Sequence, residues 1–217
     1  MITHHLSDKL LMAYAAGTLP EAFNLVVATH ISLCDTCRAR LGAFEAVGGA
    51  VLEQSTGAVP MAADALGATL ARIKSETAPP VAAPRPAAPR DAVLPAPLRD
   101  YVGGGVDKVQ WRNVGGGVRQ AILPTSRQAS ARLLYIPAGV AVPDHGHGGL
   151  ELTLVLQGAF ADEHDRFARG DIEIADETLE HTPIAEAGAD CICLAATDAP
   201  LRFKGLMPRL AQPFLRI

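Results

Sequence analysis

Over the first 75 residues, apolar positions recur every three or four residues, and this spacing predicts four short helices. The first helix is capped by Ser7 and ends at Gly17, and the second starts at Pro20, which suits a first helical turn. Asp35 can cap the third helix, and the fourth covers residues 61–74. Four short helices enclose a small core, and a bound metal is a common means of stabilising a domain of this size.

Beyond residue 98 the pattern changes to short apolar runs separated by glycine, proline and aspartate, which is typical of a β-sandwich or barrel. Residues 109–114 and 118–123 flank the glycine run 115–117 and are predicted to form a hairpin. Further strands are predicted at residues 132–136, 151–156, 171–174 and 189–195. No stretch between them has the pattern of a long crossover helix, so the second half is predicted to be all-β.

The two halves are separated by residues 77–98, which are rich in alanine and proline. Each proline removes a backbone donor and disfavours helix at the residue before it, so an extended linker is expected there. The predicted fold class is therefore α+β with two domains. They are a small helical bundle at residues 1–76 and an all-β domain at residues 99–217, joined by the linker at residues 77–98.

Composition narrows the function classes. The chain has 217 residues and a net charge of −4, and residues 1–75 contain five Lys and Arg against six Asp and Glu, which argues against direct nucleic-acid binding. It has neither the basic start and apolar run of a signal peptide nor an apolar stretch near the roughly 20 residues that span a bilayer. A cytoplasmic protein with no membrane contact is expected, and in that reducing compartment its paired cysteines favour metal or redox chemistry.

The first candidate metal site is the motif His30-x3-Cys34-x2-Cys37. Zinc prefers four nitrogen or sulfur ligands in a tetrahedron, and two cysteines at a helix start can reach one ion. His30, at the end of the preceding helix, supplies a third ligand. The fourth is His5 or His4, and the sequence favours His5. The alternative is a pair of buried cysteines beside a core histidine.

This motif, after an N-terminal helix that bears a histidine, resembles the zinc-binding domain of ECF-type anti-sigma factors. In that family a zinc-pinned helical bundle wraps between the two domains of an alternative sigma factor and blocks its binding to RNA polymerase and promoter. The resemblance covers residues 1–75. It implies zinc on His5, His30, Cys34 and Cys37 and an ECF-type sigma factor as the partner.

The β half contains a second candidate metal site. The fixed positions of its motif are Gly139, His145, His147, Glu151 and Gly158. Because His145 and His147 are two residues apart and Glu151 is four further on, one barrel interior can receive all three side chains. His181, from a later strand, can add a third imidazole, and such a donor set suits zinc, iron, manganese or nickel. The alternative is a loop of solvated histidines, which is also the expectation for His164 among its acidic neighbours.

These spacings resemble the first motif of the cupin family. Gly170 and His181 match part of the second cupin motif, whose Pro-x-Gly and terminal Asn are absent here. The resemblance implies an all-β cupin barrel that holds zinc or another divalent metal.

Cys191 and Cys193 are two apart on a predicted strand and share one face, where a disulfide between them has poor geometry. They are either small core residues or oxidant-sensitive thiols near the cupin metal.

A zinc anti-sigma domain followed by a cupin resembles the ChrR group of anti-sigma factors. The resemblance implies a regulator, not an enzyme, that releases its sigma factor on an oxidative signal, such as singlet oxygen, sensed through the cupin. The alternative function is a metal-dependent cupin enzyme, a dioxygenase or isomerase, with an N-terminal docking domain. The sequence leaves the oligomeric state, the sigma factor and the inducing molecule open.

Overall fold

The computed structural model describes residues 1–54, 57, 60–75, 93–205 and 212. The helices in these residues are α1 (Asp8–Ala15), α2 (Glu21–Leu33), α3 (Asp35–Gln54), α4 (Ala65–Ser75), α5 (Ala96–Val102) and a short 3₁₀ helix, Val106–Lys108. The strands are β1 (Arg112–Gly115), β2 (Val118–Leu123), β3 (Ser130–Ile136), β4 (His145–His147), β5 (Glu151–Gln157), β6 (Ala159–Ala161), β7 (Arg166–Ala168), β8 (Ile172–Ala175), β9 (Glu180–His181), β10 (Ile184–Ala185), β11 (Cys191–Thr197) and β12 (Leu201–Phe203). The α+β fold class is confirmed.

The starts of the helices follow local capping chemistry. Ser7 caps α1, and its Oγ accepts a hydrogen bond from the Leu10 backbone N–H at 3.4 Å. Pro20, predicted in the first turn of the second helix, occupies the N-cap of α2, and the helix begins one residue later at Glu21. Helix α4 begins at Ala65 and not at residue 61, because the chain first turns at Asp64, whose carbonyl accepts the Ala68 N–H as an N-cap residue does.

The predicted linker requires a correction at its C-terminal end. Helix α5 begins at Ala96, inside the stretch 77–98, and Leu94 and Leu98 are fully buried. Pro95 precedes the helix, where its missing N–H leaves no helical hydrogen bond unmade. The remaining linker residues, 77–92, lie outside the described residues.

The β domain consists of antiparallel sheets. The largest has the strand order β1-β2-β3-β11-β5-β8, and two three-stranded sheets have the orders β10-β6-β7 and β12-β4-β9. The predicted hairpin is present as β1 and β2, but β1 starts three residues later than expected because residues 109–111 form a tight turn, in which the Trp111 N–H donates to the Val109 carbonyl at 3.0 Å.

Both faces of the central strands are covered. On β11, Cys191 and Cys193 point into the core between the sheets, and Ile192 and Leu194 point to the opposite face. That opposite face packs against α2, which contacts β3, β5 and β11. Strands that are buried on both sides read as continuous apolar runs, as β11 does.

The helical and β regions therefore share one hydrophobic core. Helix α2 lies between the other helices and the large sheet, and seven of its 13 residues are buried. At its start, Glu21 accepts hydrogen bonds from the Tyr101 hydroxyl at 2.8 Å and the Ser126 backbone N–H at 2.7 Å. The two predicted domains are thus joined by a packed interface as well as by the linker.

Candidate metal centres

The structure brings His5, His30, Cys34 and Cys37 together, with one ligand atom from each within 4.8 Å of the others. His5 Nδ1 lies 3.3 Å from the Cys34 Sγ and 3.6 Å from the Cys37 Sγ. The local fold explains the grouping, because Cys34 separates α2 from α3 and Cys37 lies in the first turn of α3. His30 faces them from the last turn of α2.

His30 provides the test of whether this group fits a metal. Its side chain is fully buried, and neither ring nitrogen has a hydrogen-bond partner within the described part of the chain. Burial lowers the pKa of His30 to about 4, so the ring is neutral and keeps a lone pair. An unpaired polar atom is costly inside a protein, and zinc coordination would remove that cost. Two sulfurs and two imidazoles are a donor set that suits zinc.

His4, the alternative fourth ligand, points elsewhere. Its Nε2 donates to the Asp165 carboxylate at 2.8 Å, and its ring packs against Phe167. Of the two histidines that the sequence left open, His5 enters the cysteine group and His4 contacts the β domain.

A second group forms where β4 pairs with β9 and places His145 opposite His181. One ring nitrogen from each of His145, His147 and His181 lies within 4.8 Å of the others, and all three residues are buried. The Nε2 atoms of His147 and His181 are 3.3 Å apart. Three imidazoles converging in this way can hold a divalent metal.

In two of these histidines, the ring nitrogen that faces away from the group makes hydrogen bonds that orient the ring. His145 Nδ1 donates to the Pro143 carbonyl at 2.8 Å, and His181 Nδ1 lies 2.8 Å from Asp162 and 3.1 Å from Glu173. Burial opposes protonation of His181, but Glu173 and Asp162 outweigh it and raise its pKa to about 9. The metal-free ring is therefore protonated, and a metal at Nε2 would have to displace one proton. Once it is bound, partners of this kind on Nδ1 would fix the ring tautomer and keep Nε2 directed at the metal.

Glu151 lies beside this histidine group without being part of it. Its carboxylate is 3.7 Å from His147 Nδ1 and accepts a hydrogen bond from the Thr153 hydroxyl at 3.2 Å. His147 Nδ1 has no hydrogen-bond partner within the described residues, and Glu151 thus lies beside the ring nitrogen opposite the Nε2 that faces His181.

Asp162 and Glu173 are site residues that sequence reasoning missed. Asp162 is one of the acidic neighbours of His164, which is exposed as expected, so the sequence around it indicates only a solvated turn. Glu173 alternates with Ile172 and Ile174 on β8, and that period-two pattern was the available signal that its side chain faces inward.

Known proteins include relatives of this chain. Residues 102–199 match the ChrR cupin-like domain family. The chain is 63% identical over 216 residues to the anti-sigma-E factor ChrR of Cereibacter sphaeroides, covering 100% of this chain and 99% of that relative. The chain belongs to the ChrR family of anti-sigma factors. A solved structure of Rhodobacter sphaeroides SigE in complex with the anti-sigma ChrR contains a chain 61% identical to this one, with a TM-score of 0.79, covering 91% of this chain and 100% of that chain.

In this ChrR-family chain the cupin encloses a cavity of about 530 Å³. Its lining combines polar groups, including His145, Glu151 and His181, with apolar side chains such as Phe160 and Phe203. The second histidine group is therefore open to small molecules. Among the described residues, none of the helices combines the length and apolar character that crossing a membrane requires.

Cys191 and Cys193 are buried in the cupin, with their sulfurs 3.5 Å apart. The contact with Cys191 and burial raise the pKa of the Cys193 thiol, so it is protonated at neutral pH and a weak nucleophile. Cys193 also lines the cavity, through which a small oxidant can reach it.

Proposed function

We propose that this protein binds and inhibits an ECF-type RNA polymerase sigma factor and releases it on an oxidative signal, such as singlet oxygen, sensed through the cupin domain. The observation that carries the proposal is an apolar face on the N-terminal helices that the described part of the chain leaves exposed. A protein with such a surface is built to bind a partner.

That face is clearest on α4, which has no buried residue. Leu66, Leu70 and Ile73 follow helical spacing on one side of α4, and they are 70%, 47% and 65% exposed. On the second half of α3, Val47 and Val51 are 62% and 65% exposed. An amphipathic helix gains most of its stability from packing its apolar face, and within the described residues nothing covers that face of α4.

The relative that was solved with SigE supports a sigma factor as this partner. It also favours a regulator over the alternative of a metal-dependent cupin dioxygenase or isomerase, because the relative that matches the full chain is an anti-sigma factor. The proposal includes a cytoplasmic location and no direct contact with nucleic acid or membrane.

We further propose that the first group binds Zn²⁺ and that the cupin binds Zn²⁺ or another divalent metal. The proposed ligands are His5, His30, Cys34 and Cys37 in the first site and His145, His147, Glu151 and His181 in the second. In the first site zinc would tie the chain start to the junction of α2 and α3. In the cupin, Asp162 and Glu173 would hold the His181 ring toward the metal.

The helix face provides the direct test of sigma binding. We expect Leu66→Glu combined with Ile73→Glu to lower the affinity for the sigma factor by at least about 100-fold, because each change puts a charge where an apolar contact is needed. Isothermal titration with the purified sigma factor measures the loss. Since α4 has no buried residue, the fold is expected to be unchanged.

The matched control is Ile184→Glu, which places the same charge at an apolar side chain that is 46% exposed on the cupin. It should bind the sigma factor as the unchanged protein does. Equal affinity of the α4 variant and the unchanged protein would contradict the proposed binding face.

Cys191 and Cys193 are proposed as the oxidant-sensitive thiols. We expect Cys191→Ser combined with Cys193→Ser to lose most of the oxidant-triggered release while binding the sigma factor normally, because both thiols are buried on β11 and neither belongs to the exposed face of α4. Release is measured by gel filtration of the complex after exposure to singlet oxygen. Full release from the double variant would exclude these thiols.

A further inference from the structure

A single turn of the cupin forms hydrogen bonds toward both candidate metal centres. It joins β6 to β7 and consists of residues 162–165. The Asp162 Oδ2 accepts a hydrogen bond from His181 Nδ1 at 2.8 Å, and its Oδ1 accepts the backbone N–H groups of His164 and Asp165 at 2.8 and 2.9 Å. The Asp162 side chain is 1% exposed. The same carboxylate therefore holds the His181 ring and shapes the turn.

The other end of the turn holds the start of the chain. Asp165 accepts a hydrogen bond from His4 Nε2 at 2.8 Å. Beyond β7, the buried Asp171 accepts the backbone N–H groups of Thr3 and His4 at 2.6 and 2.9 Å. These two residues directly precede His5, so their position limits where the His5 ring can lie.

The start of the chain packs closely against the cupin on either side of β7. Gly170, between β7 and β8, has a φ of +92°, and a Cβ placed there would lie 2.6 Å from the Ile2 Cδ1, so the chain start packs directly on the backbone that follows β7. The ring of His4 lies on Phe167 with 4.5 Å between ring centroids. Residues 2–4 thus follow the cupin surface on both sides of β7.

We infer that the 162–165 turn and Asp171 couple the two metal centres, so that releasing His181 in the cupin loosens His5 in the N-terminal site. The inference rests on the proposed function, for which it supplies a route from the cupin to the sigma-binding helices. The Asp165 N–H donates to the Asp162 carboxylate at 2.9 Å and the Asp162 N–H donates to the Asp165 carbonyl at 3.0 Å, so a shift of the Asp162 carboxylate displaces the backbone that carries Asp165. Asp162, Asp165 and Asp171 act as positioning residues.

The test follows the reactivity of Cys34 and Cys37 in the full chain. Iodoacetamide is the probe, and mass spectrometry of each cysteine peptide gives the rate. His181→Gln is expected to raise the rate at Cys34 and Cys37 by about tenfold, which is an ordinary size for coupling between sites. Asp165→Ala is expected to raise it as well, because it frees His4. Because both changes act through the same turn, adding His181→Gln to a chain that already carries Asp165→Ala should change the alkylation rate by less than about twofold.

A second perturbation and a matched control sharpen the test. Asp162→Asn keeps the size of the side chain but has one acceptor oxygen, which cannot serve both the turn and His181, so it should reproduce the effect of His181→Gln. The control is Glu186→Ala, which removes an acidic partner of Arg166 on β7 without touching residues 2–4. In a chain that carries Glu186→Ala, His181→Gln should still raise the alkylation rate at Cys34 and Cys37 by its full amount.

Two results would overturn the coupling. The first is an unchanged alkylation rate at Cys34 and Cys37 in both His181→Gln and Asp162→Asn. The second is a double variant, His181→Gln with Asp165→Ala, whose increase in rate equals the product of the two single increases. A separate sigma titration keeps the two proposals distinct. Coupled reactivity in a chain that binds no sigma factor would support the coupling and contradict only the proposed function.

Discussion

Replacing Cys34 and Cys37 with serine is expected to abolish zinc binding at the N-terminal site and to unfold the helices around it. Serine is a poor zinc ligand, and without the metal the buried His30 keeps two unsatisfied ring nitrogens. Structural zinc contributes on the order of 10 kcal/mol in small zinc-binding peptides, which is comparable with the whole stability of a domain, about 5–15 kcal/mol. Zinc content by mass spectrometry and helix content by circular dichroism measure both effects.

The chain contains its own control for this change. Cys191→Ser with Cys193→Ser makes the same chemical substitution at two buried cysteines of the cupin. It should leave zinc at the N-terminal site and the helix content unchanged. If the variant Cys34→Ser with Cys37→Ser keeps its full zinc content and melting temperature, the proposal of a zinc site is wrong. The two cysteines and the two histidines beside them would then be an ordinary buried cluster.

The Phe23→Ala variant is expected to lose about 3–5 kcal/mol of unfolding free energy. Phe23 is 2% exposed, and α2 packs against both the helices and the large sheet, so the cavity opens in a core that both regions share. The helical and β regions should therefore melt together at a lower temperature. Calorimetry of the full chain gives the size of the loss and the number of transitions.

Met12→Ala is the matched control for that loss. Met12 is a large apolar residue on α1 that is 54% exposed, so its truncation should change the stability by less than about 0.5 kcal/mol. A Phe23→Ala chain in which the β region melts as in the unchanged protein would contradict the shared core.

The elements that the sequence predicted are those that local chemistry determines. The Ser7 cap, the Pro20 start of α2 and the β1–β2 hairpin follow from neighbouring residues alone. The packing of α2 on the sheet depends on distant parts of the chain. The run of apolar residues 25–27 on α2 was the local sign of burial on several sides, which a single helical stripe does not produce.

In the candidate sites, too, the sequence reveals local spacings but not the contacts between distant residues. The spacing of Cys34 and Cys37, and of His145 and His147, is local and could be read directly. Asp162 meets His181 from 19 positions away, and a carboxylate in an acidic turn has no local sign of such a partner. The long-range contact of His4 with Asp165, 161 positions away, was beyond any pattern in the sequence.

The central claim is that this protein inhibits a sigma factor, and transcription measures that most directly. Purified RNA polymerase with an ECF sigma factor encoded beside this gene would transcribe its promoter in the presence of increasing amounts of the full chain. The account predicts complete inhibition at one chain per sigma factor, and its relief when Leu66→Glu with Ile73→Glu replaces the unchanged protein. Undiminished transcription with folded, zinc-loaded protein would contradict it, and oxygen-dependent turnover by the cupin would then favour the enzyme.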